Sequence, residues 1–220
     1  SITEALANVT ARQVWSDLHQ KLTSNGFQIS ATKFSRDGVL IIRDLLVKLE
    51  LPLEGADGFG SISLALDTLQ FVDKLDGTVK LMLPNIMPIT LTLKDPEAGA
   101  VDLQLDLTQS GLEMSVSGHD QDRRYHYAAQ SLDLELRKLL LDGIELSETD
   151  ANAVLKFTMI RGSSIQREGT LHHLNQVLSI DEVTYQANIA VPYTPDTATH
   201  FSGKLSNLSF TSNTLLPLSL

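Results

Sequence analysis

Residues 101–107 alternate apolar and polar side chains without interruption, and the same rhythm recurs along most of the chain. Successive side chains of a strand point to opposite faces of a sheet, so a period of two predicts a sheet with one apolar and one polar face. Only one segment has the period of an amphipathic helix. The pattern therefore describes an architecture far better than it describes a reaction.

The predicted helix covers residues 11–24. Thr10 and Gln13 have the spacing of a capping box, which satisfies backbone N–H groups at a helix start. Gly26, after an asparagine, supplies a left-handed stop. An apolar stripe at helical spacing follows one side of this segment: Val14, Trp15, Leu18 and Leu22.

The dipeptide at residues 37–38, Asp-Gly, is the strongest hairpin signal in the chain. A strict two-residue loop pairs apolar with polar side chains further along the two strands. One extra residue near Lys33 would instead bring Ile29 opposite Leu45, so a bulge is predicted there.

The strand that follows, residues 39–53, carries apolar side chains at every second position apart from Arg43. Its length of roughly 50 Å, at about 3.3 Å per residue, predicts a tall, twisted sheet. Arg43 either pairs with a nearby carboxylate or marks a bulge.

A second hairpin is predicted around a three-residue loop at residues 75–77, with Gly77 left-handed and Phe71 paired with Leu81. Residues 136–146 could instead contain a short helical turn. The later strands are predicted at residues 112–117, 124–136, 153–160, 170–178, 182–191 and 201–210.

The formal net charge of −10 argues against a nucleic-acid partner, because phosphate binding needs a basic face. Disulfides are excluded, since the chain has no cysteine. No apolar run is long enough for a transmembrane helix. The chain begins at Ser1 rather than methionine, so we expect its start to have been either processed, as by removal of a secretory signal, or trimmed, and both fit equally well. No linker divides it, so we expect a single domain over residues 1–220.

The titratable residues do not form a reaction centre. His172 and His173 would point to opposite faces of a strand, so they cannot easily share a metal ion. The turn with His119, Asp120 and Asp122 lacks the full pattern of a calcium loop. Because no nucleophile, base and oxyanion donor come together, we expect a non-enzymatic protein without catalytic residues, metal or cofactor.

One short helix can cover only two or three strands, so the rest of the apolar face needs another partner. The sheet can fold over on itself, curl into a half-barrel, or stay open and hold an apolar ligand. The expected fold is mostly β (α+β): an N-terminal helix on a long, curved, largely antiparallel sheet. The residues expected to face a lipid are Leu45, Val47, Leu49, Leu64, Leu66, Leu103, Leu105, Leu107, Leu132 and Leu134.

The chain resembles the alphaproteobacterial exported family known as domain of unknown function 2125. The resemblance rests on segments at residues 13–15, 25–27, 76–79, 103–107 and 110–112. It implies a periplasmic location, a removed signal peptide and a longer natural chain, of which this is the N-terminal portion. In style the chain is also similar to AsmA-like envelope proteins, whose long sheets are linked to lipid traffic.

Two functions follow as expectations. In the first, the curved sheet binds a lipid or other apolar partner in the periplasm and contributes to upkeep of the cell envelope. In the second, a structural domain with a closed core binds an envelope protein through a sheet edge.

Overall fold

The computed structural model describes residues 8–53, 57–169, 171–191 and 198–217. Its one described helix, α1, spans Ala11–Ser24, as the sequence predicts. The Thr10 hydroxyl accepts from the Gln13 backbone N–H at 3.3 Å, and the Gln13 side chain accepts from the Thr10 N–H at 2.9 Å. Gly26, at φ 90°, ends the helix. Within the described residues, no helix is long and apolar enough to cross a membrane.

Within the same residues the rest of the fold is almost entirely strand. The strands are β1 (Gln28–Arg36), β2 (Val39–Pro52), β3 (Phe59–Asp73), β4 (Val79–Met82), β5 (Ile86–Asp95), β6 (Gly99–Ser110), β7 (Glu113–His119), β8 (Asp122–Leu141), β9 (Ile144–Glu145), β10 (Ala151–Glu168), β11 (Leu171–Ile189) and β12 (Thr199–Pro217).

All strands belong to one curved, antiparallel sheet. β4 and β5 lie end to end against β3, and β6 and β7 lie end to end against β8. The order is therefore that of a long meander, from β1 at one edge to β12 at the other, with the short β9 beside β8. The fold class is the one predicted from the alternation.

A line of irregular positions, which we call the crease, crosses this sheet from edge to edge. It passes through Asp44 on β2, the gaps between β4 and β5 and between β6 and β7, Met159 on β10 and Asn207 on β12. These three residues have positive φ angles of 51°, 52° and 55°, and Gly111 in the second gap has 62°. A residue in this conformation interrupts the pleat, so on most strands the side chains change faces at the crease.

The crease corrects the prediction that the odd-numbered residues of β2 share one face. Leu40 lies on the side of the sheet packed by α1, and beyond Asp44 that side is taken by Leu45. Arg43 is therefore no exception within an apolar row: it lies on the opposite face, with its guanidinium 4.5 Å from the centre of the Phe34 ring. Of the two interpretations of Arg43, proximity to a bulge is confirmed. We call the side packed by α1 the apolar face and the other side the polar face.

The bulge predicted near Lys33 on β1 lies instead on β2. The extra residue there is next to Asp44, where the β1–β2 register shifts. Ile29 consequently pairs with Val47, and its predicted pairing with Leu45 is wrong. The reason is that Asp tolerates the left-handed conformation, so the strand containing it takes up the extra residue.

The second hairpin has the predicted three-residue loop. Phe71 pairs with Leu81, Gly77 has φ 85°, and the Lys74 N–H donates to the Thr78 carbonyl at 2.8 Å. The residues of the loop itself were therefore sufficient to predict the position of this hairpin.

Of the two alternatives for residues 136–146, the helical turn is wrong. β8 continues to Leu141 and turns at Asp142-Gly143, where both φ angles are positive, 51° and 80°. This is the geometry that favours a two-residue hairpin. The two strands predicted at 170–178 and 182–191 form one strand, β11, interrupted only by the crease, while Thr170 lies outside the described residues.

Candidate ligand-binding face

At the N-terminal end of the sheet, α1 closes the apolar face. Trp15 and Val14 are buried against β2 and β3, and the Trp15 ring centre lies 5.9 Å from that of Phe71. Phe71 and Ile42 are fully buried. The helix packs mainly on β1, β2 and β3, as its diameter predicts. This part of the face is an ordinary core.

A buried arginine joins α1 to the turn between β7 and β8. Arg123 is 7% exposed; its Nη1 lies 2.9 Å from an Asp17 oxygen, without hydrogen-bond alignment, and its Nη2 donates to Asp120 at 3.3 Å. The Gln13 side chain also donates to Asp120, at 3.4 Å. Charged groups so placed fix the helix by specific contacts as well as by apolar packing.

The helix interface desolvates two titratable groups near this arginine. Burial raises the pKa of Asp17, and the Arg123 charge opposes that rise. Burial likewise raises the pKa of Tyr125, again against the effect of Arg123. Both shifts are explained by helix docking, so they indicate packing rather than a reactive site.

At the C-terminal end of the sheet, the apolar face continues and no helix of the described residues lies over it. Register pairs Val183 with Leu205, Ile180 with Leu208 and Leu178 with Phe210, so these side chains share a face with Ile160, which is paired with Ile180. On the inner strands Ile160 and Val183 are buried, whereas β12 exposes its apolar side chains. The exposed fractions there are 50% for Phe201, 50% for Leu205, 37% for Leu208 and 55% for Phe210.

The polar face of the same strands is different in chemistry. Apart from Leu171, Val177, Leu215 and Pro217, its residues on β11 and β12 are Ser, Thr, Asn, Gln, His and charged side chains. Lys204 lies 2.9 Å from Glu182 on this face. One-sided patterning of this kind is expected of a sheet that buries one surface against something apolar.

Two tyrosine side chains lie flat against the uncovered apolar face. Tyr127 pairs with Gly162, and Tyr185 pairs with Gly203. In each pair the phenol lies over the glycine, where a Cβ atom would collide with the ring. The aromatic side chain thus lies along the neighbouring strand instead of standing upright, which leaves a shallow, smooth surface.

The ten residues predicted to face a lipid all lie on the apolar face. Leu45 and Leu66 are buried in the cluster under α1, and Val47, Leu64 and Leu107 pack partly buried against it. The others are half-buried along β2, β6 and β8, outside that cluster: Leu49, Leu103, Leu105, Leu132 and Leu134. Contact with lipid remains a prediction for these residues.

The most exposed apolar residues of this face were not among those ten. On β12, Leu205 and Leu208 share a face only because Asn207 is bulged between them. Strict alternation along the sequence would place Leu205 and Leu208 on opposite faces. The asparagine, a residue type that tolerates positive φ, was the one available signal for the switch.

The polar clusters noted in the sequence have structural partners. At the β7–β8 turn, Asp120 contacts Arg123, and Asp122 lies 3.5 Å from Arg124 and 3.7 Å from Arg167. Among the described residues, no group of three or more His, Asp or Glu side chains could hold a metal ion. The most distinctive surface of the described chain is therefore the uncovered apolar face.

Comparison of the chain with family models, curated proteins and solved structures finds no match.

Proposed function

We propose that this chain is a non-enzymatic protein of the bacterial periplasm that shelters a lipid or another apolar ligand against the apolar face of its curved sheet, in upkeep of the cell envelope. The observation that carries the proposal is the contrast along that face. Beneath α1 its side chains are buried, and on β12 comparable side chains are exposed. The periplasmic location follows from the family resemblance.

The energetics favour a covered state for this surface. Burial of apolar surface contributes about 25 cal/mol per Å², so covering about 400 Å² is worth on the order of 10 kcal/mol before ordering costs. An acyl chain suits a flat aliphatic surface because it needs no directional hydrogen bonds. The flattened Tyr127 and Tyr185 leave room along the strands for such a chain.

Native mass spectrometry of the purified protein, followed by lipid extraction, tests the proposal. The informative variant is Leu105→Asp, which places a carboxylate on the half-buried apolar face; its matched control is Gln104→Asp, one residue away on the polar face. We expect bound lipid in the wild type and the control, and its loss in Leu105→Asp. Protein that is lipid-free in repeated preparations contradicts the proposal.

A second function is favoured by one observation, the length of the open edge. β12 has 19 residues, and no strand in the described part of the chain pairs with its outer side. At the opposite edge β1 has 9 residues and is packed by α1. A long unpaired edge is a template for strand addition, so β12 could bind an envelope protein.

Hydrogen exchange distinguishes the two functions. A lipid on the apolar face leaves the outward amides of β12 exchanging fast, whereas an added strand protects every second amide along it. Fast exchange of these amides in the presence of the candidate protein partner contradicts strand addition.

A further inference from the structure

A groove runs between α1 and the edge strand β1, apart from the uncovered strands β10–β12. Its volume is about 680 Å³, within the usual range of ligand sites. The side chains that matter to the argument come from the helix and from the first two strands: Arg12, Trp15, His19, Ile29, Lys33 and Leu40.

The floor of the groove is apolar. Trp15 and Leu40 are buried members of the cluster under α1, and Ile29 packs partly buried against it. The His19 ring stands edge-on to Trp15, with ring centres 5.6 Å apart. A hydrocarbon chain therefore has aliphatic and aromatic surface to lie on at the bottom of the groove.

The walls carry positive charge that no acidic residue of the described chain neutralises. Arg12 and Lys33 are both exposed, and no residue lining the groove is acidic. Among the described residues neither side chain has an ion pair, and the one polar contact of Arg12 is to the Ser35 hydroxyl at 3.4 Å. Two cations without an acidic partner in the described ranges, beside an apolar floor, are unexpected in a chain with 27 acidic and 17 basic residues.

We propose that this groove binds an anionic amphiphile with a single acyl chain. Arg12 and Lys33 pair with the carboxylate or phosphate of its head group, and the chain lies on Trp15, Ile29 and Leu40. A planar guanidinium and a mobile ammonium suit an oxyanion, while the floor selects against small hydrophilic anions. The site shares no lining residue with β10–β12, so it is independent of the ligand proposed for the uncovered face.

The single tryptophan of the chain provides a local readout, because it lies in the groove itself. A fatty acid brominated in its acyl chain quenches a tryptophan that it contacts. We expect saturable quenching of Trp15 by the ionised brominated fatty acid, at least tenfold weaker affinity for the neutral monoacylglycerol with the same chain, and no competition by acetate or inorganic phosphate. If either small anion competes at equal concentration, the proposal that the groove binds an amphiphile is wrong, and the groove is a simple anion site.

The double variant Arg12→Gln/Lys33→Gln removes the two charges, and both positions are exposed, so folding should persist. The matched control is Lys94→Gln/Arg161→Gln, which removes one lysine and one arginine charge outside the groove. We expect the affinity for the fatty acid, measured by quenching, to fall about tenfold in the first variant and to stay unchanged in the control, since tenfold corresponds to about 1.4 kcal/mol.

Equal quenching by the charged and neutral lipids, or equal affinity of the two double variants, overturns the groove site. Lipid retained in native mass spectra without quenching of Trp15 also overturns it, but leaves the proposed function of the uncovered face intact.

Discussion

The two ends of the apolar face carry similar apolar side chains on their strands, but these side chains are buried at one end and exposed at the other. At the N-terminal end, Phe71 and its neighbours are sealed beneath α1, whereas at the C-terminal end Phe210 and its neighbours are exposed on β12. The difference does not lie in the sheet, because register and the crease continue across both ends. It lies in the presence of one helix, which shows that alternation specifies a surface but not what covers it.

The comparison is tested most strongly by one substitution made at both ends. Phe71→Ala should lower the free energy of unfolding by about 3–5 kcal/mol, because it leaves a cavity in a filled core. Phe210→Ala should lower it by less than about 1 kcal/mol, since that ring is half in solvent. Urea unfolding followed by circular dichroism measures both. Similar losses would mean that β12 is already covered in the isolated protein.

The attachment of α1 is the next test. Arg123→Met removes the cation that lies between Asp17 and Asp120 and should cost about 1–3 kcal/mol. Arg124→Met, at a half-exposed neighbour, should cost less than about 1 kcal/mol. In the first variant, hydrogen exchange should accelerate in α1 and the strands beneath it. Acceleration of the same size in β10–β12 would contradict the view that the two ends are stabilised separately.

The smallest expected effects are at the crease. Asp44→Val and Asn207→Val each place a β-branched side chain at positive φ and should each cost about 1–2 kcal/mol. The glycine variants at the same positions are the controls, because glycine adopts this conformation without strain. In the lipid assay we expect only Asn207→Val to reduce binding. Equal reductions would mean that the ligand site extends beneath α1.

Features set by short-range chemistry could be predicted from the sequence. The helix was placed to the residue because Thr10, Gln13 and Gly26 define its ends locally. The loop ending at Gly77 followed from the residues its backbone requires. In these cases a few neighbouring residues contain all the information that the structure uses.

Features set across strands could not be predicted in the same way. A period of two keeps its phase only until the first bulge, and Asp44 is a charged residue like many others on this sheet. Hence the facing of Arg43 and the position of the bulge were wrong, and the exposed surface around Leu208 was missed. What aligns the bulges is pairing between strands remote in sequence, which one segment does not reveal.

The crease has a further consequence, for the lengths that the strands can have. Removing Asp44 would restore an unbroken pleat through β2 and keep Leu40 and Leu45 on the same face, because the extra residue is what allows side chains five positions apart to face the core together. The same relation between the number of residues and the facing of side chains holds at Met159 on β10 and Asn207 on β12. Single-residue insertions and deletions elsewhere in the interiors of these strands turn over every side chain on one side of the change, so we expect variation in chain length to be confined to the turns and the crease.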